Sequence, residues 1–300
     1  MGSENFEVLI AVIGVTGAGK STFINAAADK HNLKVGDDIF SCTQEIASES
    51  FEYNGRKITL IDTPGFDDTY VSDADVLKTV ATHLTDTYIE GRLLNGAIFL
   101  QPINGQRCTG NEMKRTKLFK LLLGEDAYSR VVIGTTMWDD LGDVARGTRQ
   151  QEQRMKDGSI WGDMINHGAS VIKHENTRES ALRIVDKILE FPSPIEIQLQ
   201  AELRENGGNL AETSAAREVD RCLGERVQKL MKDLQDMTNE RDQSMKEMCE
   251  IRNEIMSLKR DQYSIRKFCL AKWQKIGNKA GDVCINFGED LKREWPSLFG

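Results

Sequence analysis

The chain has 300 residues, with 39 Lys or Arg against 47 Asp or Glu, a formal net charge of −8, 39% hydrophobic residues and only 5 Pro. That length and apolar content bury a large core and exclude general disorder. Acidity without a long Lys/Arg block excludes tracking along nucleic-acid phosphates, because such binding draws on clustered positive charge.

At the N-terminus, Glu4 and Glu7 precede a short apolar run, without the basic region or cleavage site of a secretory signal. Met1-Gly2 opens like a myristoylation signal, but Phe6 stands where Ser or Thr is required. Val8 to Ile13 and Ala97 to Leu100, the longest apolar runs, fall short of the about 18 residues that a transmembrane helix needs. Cys42, Cys108, Cys222, Cys249, Cys269 and Cys284 lie far apart with no CxxC pair and read as reduced thiols. The expected location is the cytoplasm, with peripheral contact at a membrane as its variant.

In chain order, Val8 to Ile13, Ser50 to Tyr53, Ile58 to Ile61, Gly96 to Leu100, Val131 to Thr135 and Ser170 to Lys173 read as strands. Helical patterns at Lys20 to Ala28, Ala74 to Ile89, Glu112 to Leu123 and Arg178 to Glu190 alternate with them. This predicts an α/β fold, a mostly parallel sheet covered on both faces. Asn54-Gly55 signals a two-residue hairpin and thus one antiparallel pair at the side of the sheet. The α/β domain is expected over 6–191, with a linker and helix start over 192–222.

From Leu223 a 3.5-residue repeat runs through Val227, Leu230, Leu234, Met237, Arg241, Ser244, Met248, Ile251, Ile255, Leu258, Gln262 and Ile265 to Cys269. Most of these positions are apolar, charged residues crowd the others, and no Pro or Gly falls between 225 and 276. The pattern predicts a long helix or coiled coil over 223–270, pairing with a second chain or lying back on the α/β domain. Arg241 and Ser244 interrupt the stripe. The 271–300 segment reads as a helical tail whose aromatics, Trp273, Phe287, Trp295 and Phe299, pack on protein rather than enter a membrane, since no basic flank accompanies them.

The first strand ends in Gly14-Val15-Thr16-Gly17-Ala18-Gly19-Lys20-Ser21-Thr22, which fits G-x-x-x-x-G-K-S/T between a strand and a helix. The glycines let backbone N–H groups turn inward around a β-phosphate, and the helix adds the positive end of its dipole. Lys20 is placed to bridge β- and γ-phosphates and Ser21 to ligate Mg²⁺. Ile58 to Ile61 leads into Asp62-Thr63-Pro64-Gly65, setting the Asp62 carboxylate at a strand end within water-mediated reach of the metal. Gly65 offers a backbone N–H toward a γ-phosphate. Between these motifs Thr43, with Ser41 as competitor, is placed to close over Mg²⁺ and γ-phosphate. Lys20, Thr43 and Gly65 form the expected catalytic set, and Ser21, Thr43 and Asp62 the metal set.

Thr136-Met137-Trp138-Asp139 follows a buried strand and fits the guanine-reading pattern N/T-K-x-D except for Met137. A carboxylate there accepts two hydrogen bonds from guanine, a pair that adenine does not present. Asp140 is the alternative in register, and helix capping is the structural alternative for Asp139. After the last strand, His174 or Asn176 lies where a further loop contacts the base.

Taken together, the phosphate loop, the Thr43 loop, Asp62 to Gly65 and Thr136 to Asp139 resemble a translation-factor-class G domain. More narrowly, the chain resembles the AIG-type GTPases, with septins as relatives (the paraseptin group). That group includes the GTPases of immunity-associated proteins, the chloroplast Toc receptors and many fungal members. The narrower likeness rests on Gly96 to Leu100 followed by Asn104-Gly105-Gln106-Arg107-Cys108-Thr109-Gly110, similar to an extra box of that family. The Thr-x-Trp-Asp and His-Glu-Asn-Thr forms look most like the fungal branch. The resemblance implies GTP/GDP binding with Mg²⁺, dimerisation across the nucleotide face and slow or dimer-dependent hydrolysis. Phe66 follows Gly65 where small signalling GTPases carry a water-orienting glutamine, so slow intrinsic turnover is expected, with Arg107 a candidate to act across a dimer. A nucleotide-gated switch or assembly GTPase is therefore expected. Its alternatives are an ATP-using P-loop protein and a nucleotide-binding coiled-coil scaffold without hydrolysis.

Overall fold

The computed structural model describes residues 7–30, 46–65, 72–105, 110–191, 193–239 and 245–269. Met1–Ala201 and Glu202–Gly300 form two compact units. In the first, β1 (Glu7–Gly14), α1 (Lys20–Ala28), β2 (Ala47–Tyr53), β3 (Arg56–Asp62), α2 (Asp73–Ile89), β4 (Gly96–Pro102), α3 (Gly110–Leu123), β5 (Val131–Thr136), α4 (Val144–Lys156), α5 (Gly162–Asn166), β6 (Ser170–Lys173) and α6 (Arg178–Leu189) follow in order. The strands make one sheet in the order β2-β3-β1-β4-β5-β6.

β1 is apolar from Val8 to Ile13 because it is buried on both faces at the middle of the sheet, in parallel with β3 on one side and β4 on the other. Among the described strands only β2 runs antiparallel, at the edge, returned by Asn54 (φ 50°) and Gly55 (φ 70°), both in the left-handed region that a tight hairpin turn requires. Register pairs Val12 with Asp62, Gly14 with Leu100, Pro102 with Thr136 and Thr135 with Lys173. The carboxyl ends of the parallel strands therefore share one edge, and β1 lies where the strand order reverses, the usual ligand position in such sheets.

Alternation along each strand sends side chains to opposite faces. Ile98 and Leu100 pack in a core with Phe23, Ile24 and Ala27 of α1 and Ala181, Ile184, Val185 and Ile188 of α6. Phe99, of opposite parity, stacks on Phe119 of α3 at 4.1 Å between centroids. The sequence reading left out α4, and its composition explains why. The helix is rich in Arg and Gln, and its buried anchor is Arg154, 5% exposed. Arg154 makes a two-pronged pair with Glu112 of α3 (Nε–Oε1 2.6 Å, Nη2–Oε2 3.1 Å), which joins the helices through charge rather than through apolar side chains.

The boundary between the units falls within α7 (Gln198–Glu205). The second unit contains α8 (Ser214–Asn239) and α9 (Met245–Lys267). The expectation for 223–270 was one long helix or coiled coil. Over the described part of that range the structure has two helices, α8 and α9, on either side of residues 240–244, which lie outside the described residues. Val227, Leu230 and Leu234 pack with Ile251, Ile255 and Leu258 in a single cluster. Ion pairs link Arg226 to Glu254 (2.8 Å) and Arg266 to Asp220 (2.8 Å), so the helices run antiparallel. Each stripe is covered by the other helix of the same chain, a solution that heptad periodicity cannot distinguish from pairing between chains. The 271–300 tail lies outside the described residues. Among the described residues, no helix is long and apolar enough to cross a membrane.

Removing one member of the buried Glu112–Arg154 pair leaves an uncompensated charge in the interior. Glu112→Ala is expected to cost about 3–5 kcal/mol in urea unfolding, and Glu112→Leu combined with Arg154→Met to recover most of that loss.

Candidate functional site

The phosphate-loop motif turns at the carboxyl end of β1. A Cβ on Gly14 would lie 2.7 Å from the Leu100 carbonyl oxygen, so glycine permits the loop to leave β1 against β4. Gly17 (φ 77°) and Gly19 (φ 88°) take left-handed conformations that let successive backbone N–H groups face one concavity. Lys20 opens α1 and is only 7% exposed; its Nζ donates to the carbonyls of Gly14 (3.2 Å) and Val15 (3.0 Å), folding the ammonium over the loop. Thr16 and Thr22 are exposed, and Ala18 is buried.

Ser21 Oγ donates to Asp62 Oδ2 at 2.6 Å. Asp62 is 1% exposed, burial pushes its carboxyl above the usual range, and its buried Oδ1 has no hydrogen-bond partner among the described residues. A carboxylate oxygen with no partner, next to a hydroxyl and an ammonium, suits a hard divalent cation. The described residues hold no group of three His, Cys, Asp or Glu able to cage a metal. The Ser21 hydroxyl and the Asp62 carboxylate fit Mg²⁺, which takes a few protein oxygens and completes its shell with phosphates and water. Thr63 anchors the chain beyond Asp62 by donating from Oγ1 to the Val12 carbonyl at 2.9 Å. At Gly65 a Cβ would meet the Thr16 N and Oγ1 at 2.4 Å, so only glycine brings this backbone so close to the third position of the phosphate loop. Thr43, Ser41, Phe66 and Arg107 lie outside the described residues.

At the other end of the edge, the Thr136 hydroxyl donates to the Ala18 carbonyl at 3.0 Å, tying β5 to the phosphate loop. Met137 follows with φ 61°, and its Cε lies 3.7 Å from a Cβ built on Gly19, so the thioether reaches the loop where lysine stands in the guanine pattern. Trp138 points inward, its Nε1 donating to the Thr135 carbonyl at 3.1 Å. Asp139 and Asp140 are both exposed but differ in surroundings. Asn176 Nδ2 donates to Asp139 Oδ2 at 3.4 Å, whereas Asn104 Nδ2 donates to Asp140 Oδ2 at 3.3 Å. α4 is capped by Asp143, which accepts from the Arg146 N–H at 3.1 Å, so Asp139 is not its cap.

The structure separates the two residues proposed for the last loop. Asn176 (φ 53°) stands at the rim beside Asp139, while His174 is 2% exposed and meets the Phe23 ring edge-on at 5.1 Å. Its Nδ1 lies 2.8 Å from Ser180 Oγ, and desolvation lowers its pKa to about 4. Sequence reasoning missed Ser180 and Asn104. Ser180 had a visible signal, because Thr177 three residues earlier forms a capping box with it at the start of α6.

A family model described as 50S ribosome-binding GTPase matches residues 9–99. Among solved structures, a dimerisation-deficient variant of Toc33 from Arabidopsis thaliana is similar at 14% identity and TM-score 0.53, covering 65% of this chain and 88% of that one. Toc33 from the same plant in complex with GDP and Mg²⁺ is similar at 14% identity and TM-score 0.51, covering 64% and 88%. A third structure, at 14% identity and TM-score 0.52, covers 64% and 86%; it concerns the chloroplast translocon components atToc33 and psToc159, for whose GTPase activity dimerisation is important. The first unit thus has the fold of a P-loop GTPase G domain.

His174 yields a pH prediction. Its folded-state pKa, about 4, lies below the ordinary 6.5, so between those values the unfolded chain binds a proton that the folded chain refuses. The contribution is fully present above 6.5 and is lost as pH falls toward 4, by about 3 kcal/mol over the window. Urea unfolding between pH 7.5 and 4 is expected to show this loss relative to His174→Phe, which lacks the titration.

Proposed function

We propose that the chain binds GTP with Mg²⁺ and hydrolyses it slowly to GDP and phosphate, acting as a nucleotide-gated switch or assembly GTPase of the AIG-type, septin-like branch. The observation that carries this reading is the Thr136–Ala18 hydrogen bond. It ties the end of β5 that leads to Asp139 to the phosphate loop, which supports one nucleotide spanning both. The motif order and the Gly96 to Gly110 segment support the branch.

In this reading the backbone N–H groups from Thr16 to Lys20 hold the β-phosphate, and Lys20 releases its loop carbonyls to bridge β- and γ-oxygens. Ser21 and Asp62, joined by Thr43, hold Mg²⁺, which when bound neutralises charge on the phosphate oxygens. Gly65 turns its N–H to the γ-phosphate, and Asp139 accepts the paired donors of guanine beside Asn176. Water adds to the γ-phosphorus as the bond to the β-γ bridging oxygen breaks. Turnover is slow because Phe66 cannot hydrogen-bond the attacking water, and the dimer dependence stated for the Toc components supports completion of the site by a second G domain, with Arg107 as the group acting in trans.

The test is GTP turnover per molecule over a wide range of protein concentration, with ATP in parallel. Specific activity is expected to rise with concentration for GTP alone. Flat, negligible turnover with intact GTP binding would mean a holding scaffold, and equal use of ATP would refute the guanine reading. Lys20→Ala and Ser21→Asn are expected to abolish nucleotide binding in a direct titration. Asp139→Asn is expected to relax GTP-over-ATP preference by about tenfold or more, the scale of losing a hydrogen bond to a charged group.

A further inference from the structure

We propose that His174 is a positioning residue for base recognition, holding through Ser180 the loop that presents Asn176 to Asp139. This rests on the guanine reading above and adds a specificity-determining residue to it.

Beyond Lys173 the last strand continues one step, with His174 N–H donating to the Thr135 carbonyl at 2.9 Å. The imidazole is thereby turned under the loop and onto Phe23, which directly follows the phosphate-loop motif in α1. From there Nδ1 meets Ser180 Oγ, and that one oxygen organises the residues around Asn176. It accepts from the Glu175 N–H at 3.0 Å and the Thr177 N–H at 3.3 Å, and lies 2.9 Å from the Thr177 carbonyl. Asn176 is thus bracketed on both sides by bonds to a single hydroxyl whose place is set by His174. The hydroxyl has one proton, which cannot serve both the Thr177 carbonyl and Nδ1. Its two lone pairs already take the Glu175 and Thr177 N–H groups, so the proton goes to Nδ1 as acceptor, and the neutral imidazole carries its own proton at Nε2. On the outer side Glu175 is held by Lys173 (3.2 Å) and Arg183 (2.9 Å), which pins the loop from solvent as His174 and Ser180 pin it from below.

Packing alone does not account for a histidine here. Its buried Nε2 has no partner among the described residues, a desolvation cost that a phenyl ring against Phe23 would avoid. What imidazole adds over phenyl is the Ser180 contact. The Asn176–Asp139 bond, at 3.4 Å, is near the limit of hydrogen bonding, so a few tenths of an ångström in the loop decide whether it forms.

The experiment compares the full chain with His174→Phe, His174→Asn and Ser180→Ala, titrating Mg²⁺ with GTP, inosine 5′-triphosphate, which lacks the 2-amino group, and ATP, with thermal unfolding alongside. His174→Phe and Ser180→Ala are expected to cut the GTP-over-inosine preference by about five- to tenfold, the scale of one lost hydrogen bond, with inosine triphosphate affinity changed less than about twofold. His174→Asn, whose amide reaches the Nδ1 position, is expected to keep more of the preference than His174→Phe. A merely structural role would lower the melting temperature and weaken every nucleotide alike; an unchanged preference in the variants with a guanine-selective parent overturns the proposal. Should His174→Phe fail to fold, Ser180→Ala decides by the same ratio. A parent chain without guanine preference instead overturns the guanine reading itself, and the proposal with it.

Discussion

The site depends on the parallel register of β1 between β3 and β4. A strand buried on both faces has no freedom to slip, because a shift of one residue would exchange its two apolar faces and pull Val12 away from Asp62. With that register held, Gly14, Asp62, Thr136 and Lys173 emerge at one edge, and chemistry encoded far apart in the chain meets there. Short polar ties then refine what the sheet makes coarse: Thr63 to the Val12 carbonyl and Thr136 to the Ala18 carbonyl. Each joins two segments that the hydrophobic core brings close but does not orient.

The same edge concentrates polar groups that cost stability. Asp62 keeps a buried oxygen without a partner and a carboxyl raised above its ordinary range by burial, with the Ser21 bond and the Lys20 charge opposing that rise. Lys20 meets the burial of its ammonium by bonding loop carbonyls that would otherwise have no use for it. Both arrangements read as chemistry held ready, since a cation beside Asp62 and phosphates around Lys20 would satisfy what the protein alone leaves incomplete. By contrast Glu112 and Arg154 answer each other fully across α3 and α4, and that pair serves architecture.

Most of the first unit was legible because its strands are short apolar runs separated by helix-length segments, and Asn54-Gly55 announced the hairpin. α4 escaped because hydrophobic patterning looks for apolar anchors, and this helix is anchored by an arginine. The seam over 223–270 was legible as a stripe, but its period does not say which surface covers it. At the site, glycine spacing and Lys20, Ser21 and Asp62 were readable from order alone. The difference between His174 and Asn176 was not. Two residues apart, one turns into the core and the other to the rim, and only the position of Phe23 and Ser180 decides which.

Met137 and Phe66 mark where this chain departs from the common guanine-site pattern, and the departures differ in kind. Met137 adopts a left-handed backbone and still brings its thioether to Gly19, so apolar packing takes over a place where lysine would supply hydrogen bonds to the loop. Contact with the phosphate loop is retained in another form. A phenyl ring after Gly65 has no such substitute, because orienting water needs a polar atom. In the function proposed above, holding the nucleotide falls to groups fixed on strand ends, whereas completing its hydrolysis needs a group from elsewhere.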